Sequence, residues 1–265
     1  MLSYPFLIRA MVVGTLVSLC AALLGVPLVL KRYSMIGDGL SHVGFGALAI
    51  AAALNIAPLA VAVPAVIVAA VLLLRVSTSS RIKGDAAVAL IASGSLAIGV
   101  LVISLTSGVN ANVSNYMFGS ILSVGQSDAV LSVVLCLAVL VTFILFYPRL
   151  FAVTFDESFA KASGINAGFY NTLLAVLTAV TIVLGMRMMG ALLISSLVIF
   201  PALSAMRLCR SFRSVTICAA LTSVVCFLIG MTASYAFETP SGASVVAVNI
   251  AAFLIFAAIG AVKRK

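Results

Sequence analysis

The sequence predicts an all-α protein that crosses a lipid bilayer many times. Of its 265 residues, 64% are apolar and 8% are charged, whereas soluble domains are roughly 45–50% apolar and about 25% charged. The apolar residues form runs long enough for spanning helices, which need about 20 residues each. These runs are too long for the strands of a membrane barrel. We therefore expect a polytopic helix bundle that makes one transmembrane domain of residues 1–265, without a separate soluble catalytic domain.

Apolar runs separated by charged or polar breaks predict nine spans. In chain order they cover residues 5–30, 34–54, 57–75, 86–107, 127–148, 167–187, 188–207, 214–236 and 243–262. Two runs meet near 187–190 almost without a loop, so eight spans is the alternative count. The first run is interpreted as an uncleaved span, because it shows no clear small-residue cleavage site of a signal peptide.

The basic residues predict the orientation of these spans. They fall on alternate connections, in the groups Lys31–Arg32, Arg75–Arg81–Lys83, Arg149–Lys161, Arg207–Arg210–Arg213 and Lys263–Arg264–Lys265. Positive charge marks cytoplasmic connections, so we expect the C-terminus inside the cell and, with nine spans, the N-terminus outside. Arg187 is the exception near the outer side, where a long side chain can reach the interface. Charge placed in this way argues against nucleic-acid binding despite the net charge of +9.

Two connections differ from simple loops. Segment 108–126 is polar and glycine-rich, which suggests a re-entrant or interfacial piece on the outer side. Segment 149–166, on the inner side, carries charges of both signs on a predicted short helix with Gly164 as a candidate C-cap. From the residues alone, this second segment is either an ordinary solvated connector or a docking helix for a cytoplasmic partner.

The second span contains the strongest candidate for chemistry, Asp38 and His42. Residues four apart share one face of a helix, and a charged carboxylate within a bilayer costs at least about 2.5–3.5 kcal/mol. Carboxylate oxygen and imidazole nitrogen are both ligands of divalent transition metals. Two ligands make a weak site, as a transport path requires. A structural Asp–His hydrogen bond and a proton relay are the alternatives to metal binding.

Other polar residues give weaker signals. Ser195, Ser196 and Ser204 lie near the helix-kinking Pro201 and could line a cavity, although local packing explains them as well. Glu238, near the last outer turn, either attracts cations or caps the turn. The five cysteines lack a C-x-x-C spacing and are interpreted as small buried hydrophobes. The sequence has no G-x-x-x-x-G-K-[ST] loop, so we do not expect this chain to bind ATP or to act as an enzyme.

Five stretches in order along the chain resemble the family 3 permeases of ABC metal importers. They are SMIGDGLSHVGFG (Ser34–Gly46), YMFGSILSV (Tyr116–Val124), FDESFAKASGI (Phe155–Ile165), GALLISSLVIFPA (Gly190–Ala202) and ETPSGASVV (Glu238–Val246). The last two stretches are most similar to high-affinity zinc-uptake permeases. The chain departs from the usual family pattern at Glu238, often Asp, and at Leu203 and Ser204, within a run that is often Pro-Ala-Ala-Thr-Ala.

The resemblance implies a type II-like importer permease in the inner or plasma membrane of a bacterium. Such a permease is a homodimer powered by cytoplasmic ATP-binding subunits and supplied by an extracytoplasmic metal-binding protein. It implies that Asp38 and His42 are metal-pathway residues, and that residues 155–165 form the helix that couples to the ATPase. The implied coupling residues are Phe155, Asp156, Glu157, Phe159, Lys161 and Gly164.

The leading hypothesis is therefore the permease subunit of an ATP-driven importer of divalent metal ions, with zinc favoured over manganese and iron. No tightly bound cofactor is expected, because the metal is the cargo. The alternative is an ATPase-independent secondary transporter or channel for cations in which Asp38 and His42 relay protons. A membrane-embedded enzyme would need a denser set of buried polar groups than this chain has.

Overall fold

The computed structural model describes residues 5–77, 84–106 and 126–263, and in these ranges it contains ten helices and no strand. The helices are α1 (Pro5–Leu30), α2 (Ser34–Ala53), α3 (Pro58–Ser77), α4 (Gly84–Leu105), α5 (Gln126–Phe155), α6 (Glu157–Ala162), α7 (Ala167–Met189), α8 (Ala191–Leu208), α9 (Phe212–Phe237) and α10 (Ser241–Val262). All except α6 are long and apolar enough to cross a membrane. Among the described residues, the predicted count of nine spans is therefore confirmed over eight. The predicted re-entrant piece, apart from Gln126, and the basic residues Arg81 and Lys83 lie outside these ranges.

A single residue separates α7 from α8. Gly190 has φ 90° and ψ 159°, a conformation that residues with a Cβ rarely adopt. Its N–H donates a hydrogen bond of 2.9 Å to the carbonyl of Met186, which closes α7. The chain changes direction here without a loop, which explains why the hydropathy pattern alone left the division near 187–190 weak.

The fifth span ends later than predicted. The sequence predicts a helix over 127–148, but α5 continues through Pro148 to Phe155. Proline removes one intrahelical hydrogen bond, and the aromatic packing of the continued segment opposes that loss. The ring centroid of Phe151 lies 4.9 Å from that of Phe155 and 5.0 Å from that of Phe212 in α9. Phe155 is thus the last residue of α5 and lies outside the short helix that follows.

Glycines bring the helices around α2 into close contact. A Cβ added at Gly46 of α2 would lie 2.8 Å from the carbonyl oxygen of Ser95 in α4. A Cβ at Gly25 of α1 would overlap the carbonyl oxygen of Val198 in α8. Helices in lipid pack closely where small residues let their backbones approach. This packing holds α2, with its Asp and His, against its neighbours in the bundle.

Several of the basic connections take part in cross-helix contacts at the helix ends. Lys31, which follows α1, lies 3.8 Å from Glu157 of α6. Arg149 of α5 donates a 2.7 Å hydrogen bond to the hydroxyl of Tyr170 in α7. These contacts place the α1–α2 turn, the end of α5 and the start of α7 at one end of the bundle. The sequence assigns these connections to one side of the membrane, and that this side is the cytoplasm stays a prediction.

Candidate functional site

Asp38 and His42 lie side by side on the first half of α2. The i, i+4 spacing places the His42 Nε2 3.8 Å from the Asp38 Oδ2. In the single chain the His42 side chain is 22% exposed and that of Asp38 is 47% exposed. Neither group is sealed in the helix packing of the single chain. The predicted pairing on one helix face is present in the structure, and its role as a metal site stays a prediction.

A third polar group comes from α8. The Ser195 Oγ lies 3.4 Å from the Asp38 Oδ1 and 3.1 Å from the carbonyl of Ala191. The hydroxyl has one proton, which it donates either to the Asp38 carboxylate or to the Ala191 carbonyl, since both oxygens are acceptors. Ser41 bonds the backbone carbonyl of Asp38 at 2.7 Å and steadies the turn. Asp38 therefore contacts α8 through Ser195 as well as its neighbour His42 on α2.

The spacing of the two donors suits a transition-metal ion. Zinc binds His nitrogen and Asp oxygen at about 2.0–2.2 Å, which in tetrahedral geometry requires donors about 3.4 Å apart. The observed 3.8 Å needs only a small rotation of either side chain. In the described part of the chain, no cluster of three or more His, Cys, Asp or Glu side chains is present. Further ligands would come from hydroxyls, water or another chain.

The other candidate polar residues lie apart from the Asp38–His42 pair. Ser196 is buried and donates to the carbonyl of Leu193 at 2.8 Å. Ser204 is buried and its hydroxyl has no hydrogen-bond partner within the described chain. Glu238 has φ 51° and caps the C-terminus of α9, which agrees with its interpretation as a turn residue. None of the three lies within hydrogen-bonding distance of Asp38 or His42 in the described structure.

The segment predicted to dock a partner folds as the short helix α6. The Asp156 carboxylate accepts a 2.9 Å hydrogen bond from the Phe159 N–H and so caps its N-terminus. At the other end, Gly164 has φ 81° and its N–H bonds the carbonyl of Lys161 at 3.1 Å. The next N–H, of Ile165, bonds the carbonyl of Ala160 at 2.9 Å, which completes a Schellman motif. Both ends of the helix are therefore specified locally.

The side chains of α6 and its flanks combine charge with exposed aromatic surface. Phe155 is 61% exposed and Phe159 is 66% exposed. Glu157 forms an ion pair of 2.8 Å with Lys161 one turn later, and the Lys161 ammonium holds the pKa of Glu157 below its usual range. Exposed aromatic rings beside charged groups are typical of a protein–protein contact. This surface supports the docking interpretation, which stays a prediction.

Replacing Asp156 with alanine is expected to loosen α6. The change removes the N-cap and costs about 1 kcal/mol of local helix stability, which corresponds to roughly fivefold faster amide exchange from locally open states. Hydrogen exchange over 157–162 in the isolated permease measures this. Asp156→Asn keeps a capping oxygen and serves as the matched control. Equal exchange in the alanine and asparagine variants would contradict the capping role.

Two residues that belong to this region did not stand out in the sequence. Lys31, used there only as an orientation marker, contacts the amide oxygen of Asn171 in α7. The Asn171 amide in turn donates to Glu157 at 3.1 Å. Asn171 is a polar residue inside an apolar run, which indicates a functional or structural contact. Its partners, Lys31 and Glu157, are distant in the sequence, so no spacing pattern identifies them.

The sequence matches a known family over almost its whole length: residues 3–260 match the family described as "ABC 3 transport family". The chain belongs to the ABC 3 transport family. The resemblance found in the five sequence stretches is thereby confirmed. As a member of this family of metal-importer permeases, it is a multi-pass protein of the bacterial membrane.

Individual members of the ABC 3 family agree with this assignment. The chain is 30% identical to the "High-affinity zinc uptake system membrane protein ZnuB" of Haemophilus influenzae, over 95% of this chain and 97% of that protein. It is 26% identical to the "Manganese import system permease protein ScaB" of Streptococcus gordonii, over 95% and 90% of the two chains. Both relatives are membrane components of metal uptake or import systems.

A solved structure supports the ABC 3 fold. The chain superposes on "PsaBC from Streptococcus pneumoniae in complex with Fab" with a TM-score of 0.86 and 28% identity, covering 96% of this chain and 91% of that one. The predicted all-helical importer-permease architecture is therefore confirmed. The transported metal is a separate question, because the relatives of this chain include zinc and manganese systems.

Proposed function

We propose that this ABC 3 permease carries divalent transition-metal ions, with zinc favoured over manganese and iron, and that Asp38 and His42 bind the ion on its way. The observation that carries the proposal is the open Asp38–His42 pair within a membrane span, with its donor atoms 3.8 Å apart. Carboxylate oxygen and imidazole nitrogen are both ligands of divalent transition-metal ions, and the resemblance of Gly190–Ala202 and Glu238–Val246 to zinc-uptake permeases favours zinc. The zinc-uptake relative, which matches this chain over nearly its whole length, supports zinc as a cargo.

Weak binding by a few ligands suits the transport step. An ion held by two side chains and water can leave again, whereas a closed four-ligand cage would retain it. In the proposed cycle, two copies of this chain form the central path and the site opens alternately to each side. An extracytoplasmic metal-binding protein delivers the ion, and a pair of cytoplasmic ATPase subunits drives the change through α6. This arrangement places the C-terminus in the cytoplasm.

Metal uptake by vesicles that hold the complete transporter tests the proposal. We expect ATP-dependent accumulation of radiolabelled zinc, with slower uptake of manganese and iron. An ATPase subunit that binds but does not hydrolyse ATP is expected to abolish accumulation. Accumulation that continues with the inactive ATPase would instead support the secondary-transporter hypothesis. Faster uptake of manganese or iron than of zinc would contradict the order of metals and leave the import function in place.

A further inference from the structure

Lys31 is a nearly buried cation that connects three elements of the bundle. It directly follows α1, and its side chain is only 9% exposed. Its ammonium contacts the amide oxygen of Asn171 in α7 and lies 3.8 Å from the Oε2 of Glu157 in α6. The Asn171 amide closes the set by donating to the same Glu157 oxygen at 3.1 Å. We call these three residues the Lys31 cluster.

The charges of the Lys31 cluster depend on one another. Burial lowers the pKa of Lys31, because an ammonium loses its hydration, and the Glu157 carboxylate opposes that shift. Within the pair, the Lys31 side chain is 9% exposed and that of Glu157 is 42% exposed, so the ammonium is the member that depends on its partner for compensation. Lys161 differs, since its side chain is 61% exposed, and exposed ion pairs contribute little. The contact from Glu157 to Lys31 thus differs from the contact to Lys161 in involving a cation that is nearly buried.

The turn after Lys31 is rigid and leads directly to the metal-site candidates. Arg32 has φ 61°, and its N–H bonds the carbonyl of Val29 at 3.1 Å. The N–H of Tyr33 bonds the carbonyl of Leu28 at 2.8 Å, which makes a second Schellman motif. Helix α2 starts at the next residue and carries Asp38 in its second turn. Because this turn is hydrogen-bonded at both residues, a displacement of Lys31 is expected to move the start of α2 with it, and little of the movement should be absorbed by the turn.

Helix α6 has few other attachments to the bundle. Ala160 is its one buried residue, so the polar contacts of Glu157 are a main lateral connection from α6 to the spans. We propose that Lys31 is a positioning residue that transmits movement of α6 to the start of α2, and thereby to Asp38 and His42. This inference rests on the proposed function, since it assumes that α6 moves with an ATPase. It assigns to Lys31 a role in coupling that is distinct from metal binding and from docking.

The test compares transport with ATP hydrolysis in vesicles that hold the complete transporter. Lys31→Met keeps the length of the side chain and removes its charge. We expect it to lower the number of zinc ions taken up per ATP hydrolysed by about fivefold or more, the lower end of typical coupling effects. Lys31→Arg retains the charge and is expected to restore most of that ratio. Arg32→Met removes the adjacent, exposed cation from the same turn and is expected to keep the wild-type ratio.

Asn171→Ala provides a second, independent variant if Lys31→Met fails to assemble, and it is expected to lower the same ratio. A wild-type ratio in an assembled Lys31→Met or Asn171→Ala transporter would overturn the inference. Equal losses of uptake and of hydrolysis would also overturn it, because they indicate a defect of assembly or docking. Wild-type vesicles that take up no metal would overturn the proposed function and this inference with it. A fall in the ratio that is rescued by Lys31→Arg supports it.

Discussion

Metal uptake is expected to fall to the background level when either Asp38 or His42 is replaced by alanine. Within the described part of this chain, the two side chains supply the carboxylate and imidazole donors of the proposed site, 3.8 Å apart. Loss of even an outer-shell partner of a metal site costs about 10–100-fold in affinity, so loss of a direct ligand is expected to cost at least that much. Metal-limited growth and uptake of radiolabelled zinc, at equal amounts of membrane-inserted protein, measure the effect.

Two further variants separate the metal site from a structural hydrogen bond. Asp38→Asn keeps a hydrogen-bonding oxygen of similar shape and removes the negative charge. A structural role predicts near-normal uptake for this variant, whereas a ligand role predicts loss. Asp85→Ala removes an exposed carboxylate at the start of α4 and serves as the matched control with normal uptake. Normal uptake by both Asp38→Ala and His42→Ala would exclude the ligand role.

The second large effect is expected at Gly25, where α1 crosses α8. A Cβ at this position would overlap the carbonyl oxygen of Val198, a backbone atom that cannot rotate away. Overpacking of this kind typically costs about 1–3 kcal/mol, and occasionally more. We expect Gly25→Ala to lower the thermal midpoint by about 2–4 °C for each kcal/mol lost. It should also reduce uptake, because α8 carries Ser195 next to the metal-site candidates.

Gly94→Ala is the matched control for this effect. It makes the same chemical change inside α4, where an added Cβ meets no atom within 4 Å. Alanine has the higher helix propensity by about 1 kcal/mol, so the thermal midpoint should stay unchanged or rise. Thermal unfolding of the two variants in the same detergent, followed by circular dichroism, measures the difference. Equal midpoints would contradict the close contact between α1 and α8.

The spans could be predicted from the sequence because each apolar run specifies its own helix in lipid. The bilayer makes backbone hydrogen bonds obligatory, so local composition decides the secondary structure. The errors occur where distant contacts decide. Helix α5 passes Pro148 because aromatic rings of α5 pack against Phe212, a contact between residues far apart in sequence.

The candidate site shows the same limit. The pairing of Asp38 with His42 follows from helix geometry and needs no tertiary information. Ser195 is 157 positions from Asp38 in the chain, and no periodicity predicts that they meet. Lys31 likewise offers only a charge at a helix end until the fold brings Glu157 and Asn171 to it. Local motifs were therefore predictable, whereas the partners that complete them required the structure.

The one-residue junction at Gly190 has a mechanical consequence. Helix α7 has 23 residues and is therefore about 34 Å long. It starts near α6 and ends at Gly190, with no loop before α8. No loop residue lies between the two helices, so the angle between α7 and α8 is set mainly at Gly190, which has φ 90°. A side chain at this point would stiffen the joint as well as strain it. The two spanning helices are thus joined rigidly in register, and the length of α7 fixes where α8 begins relative to α6.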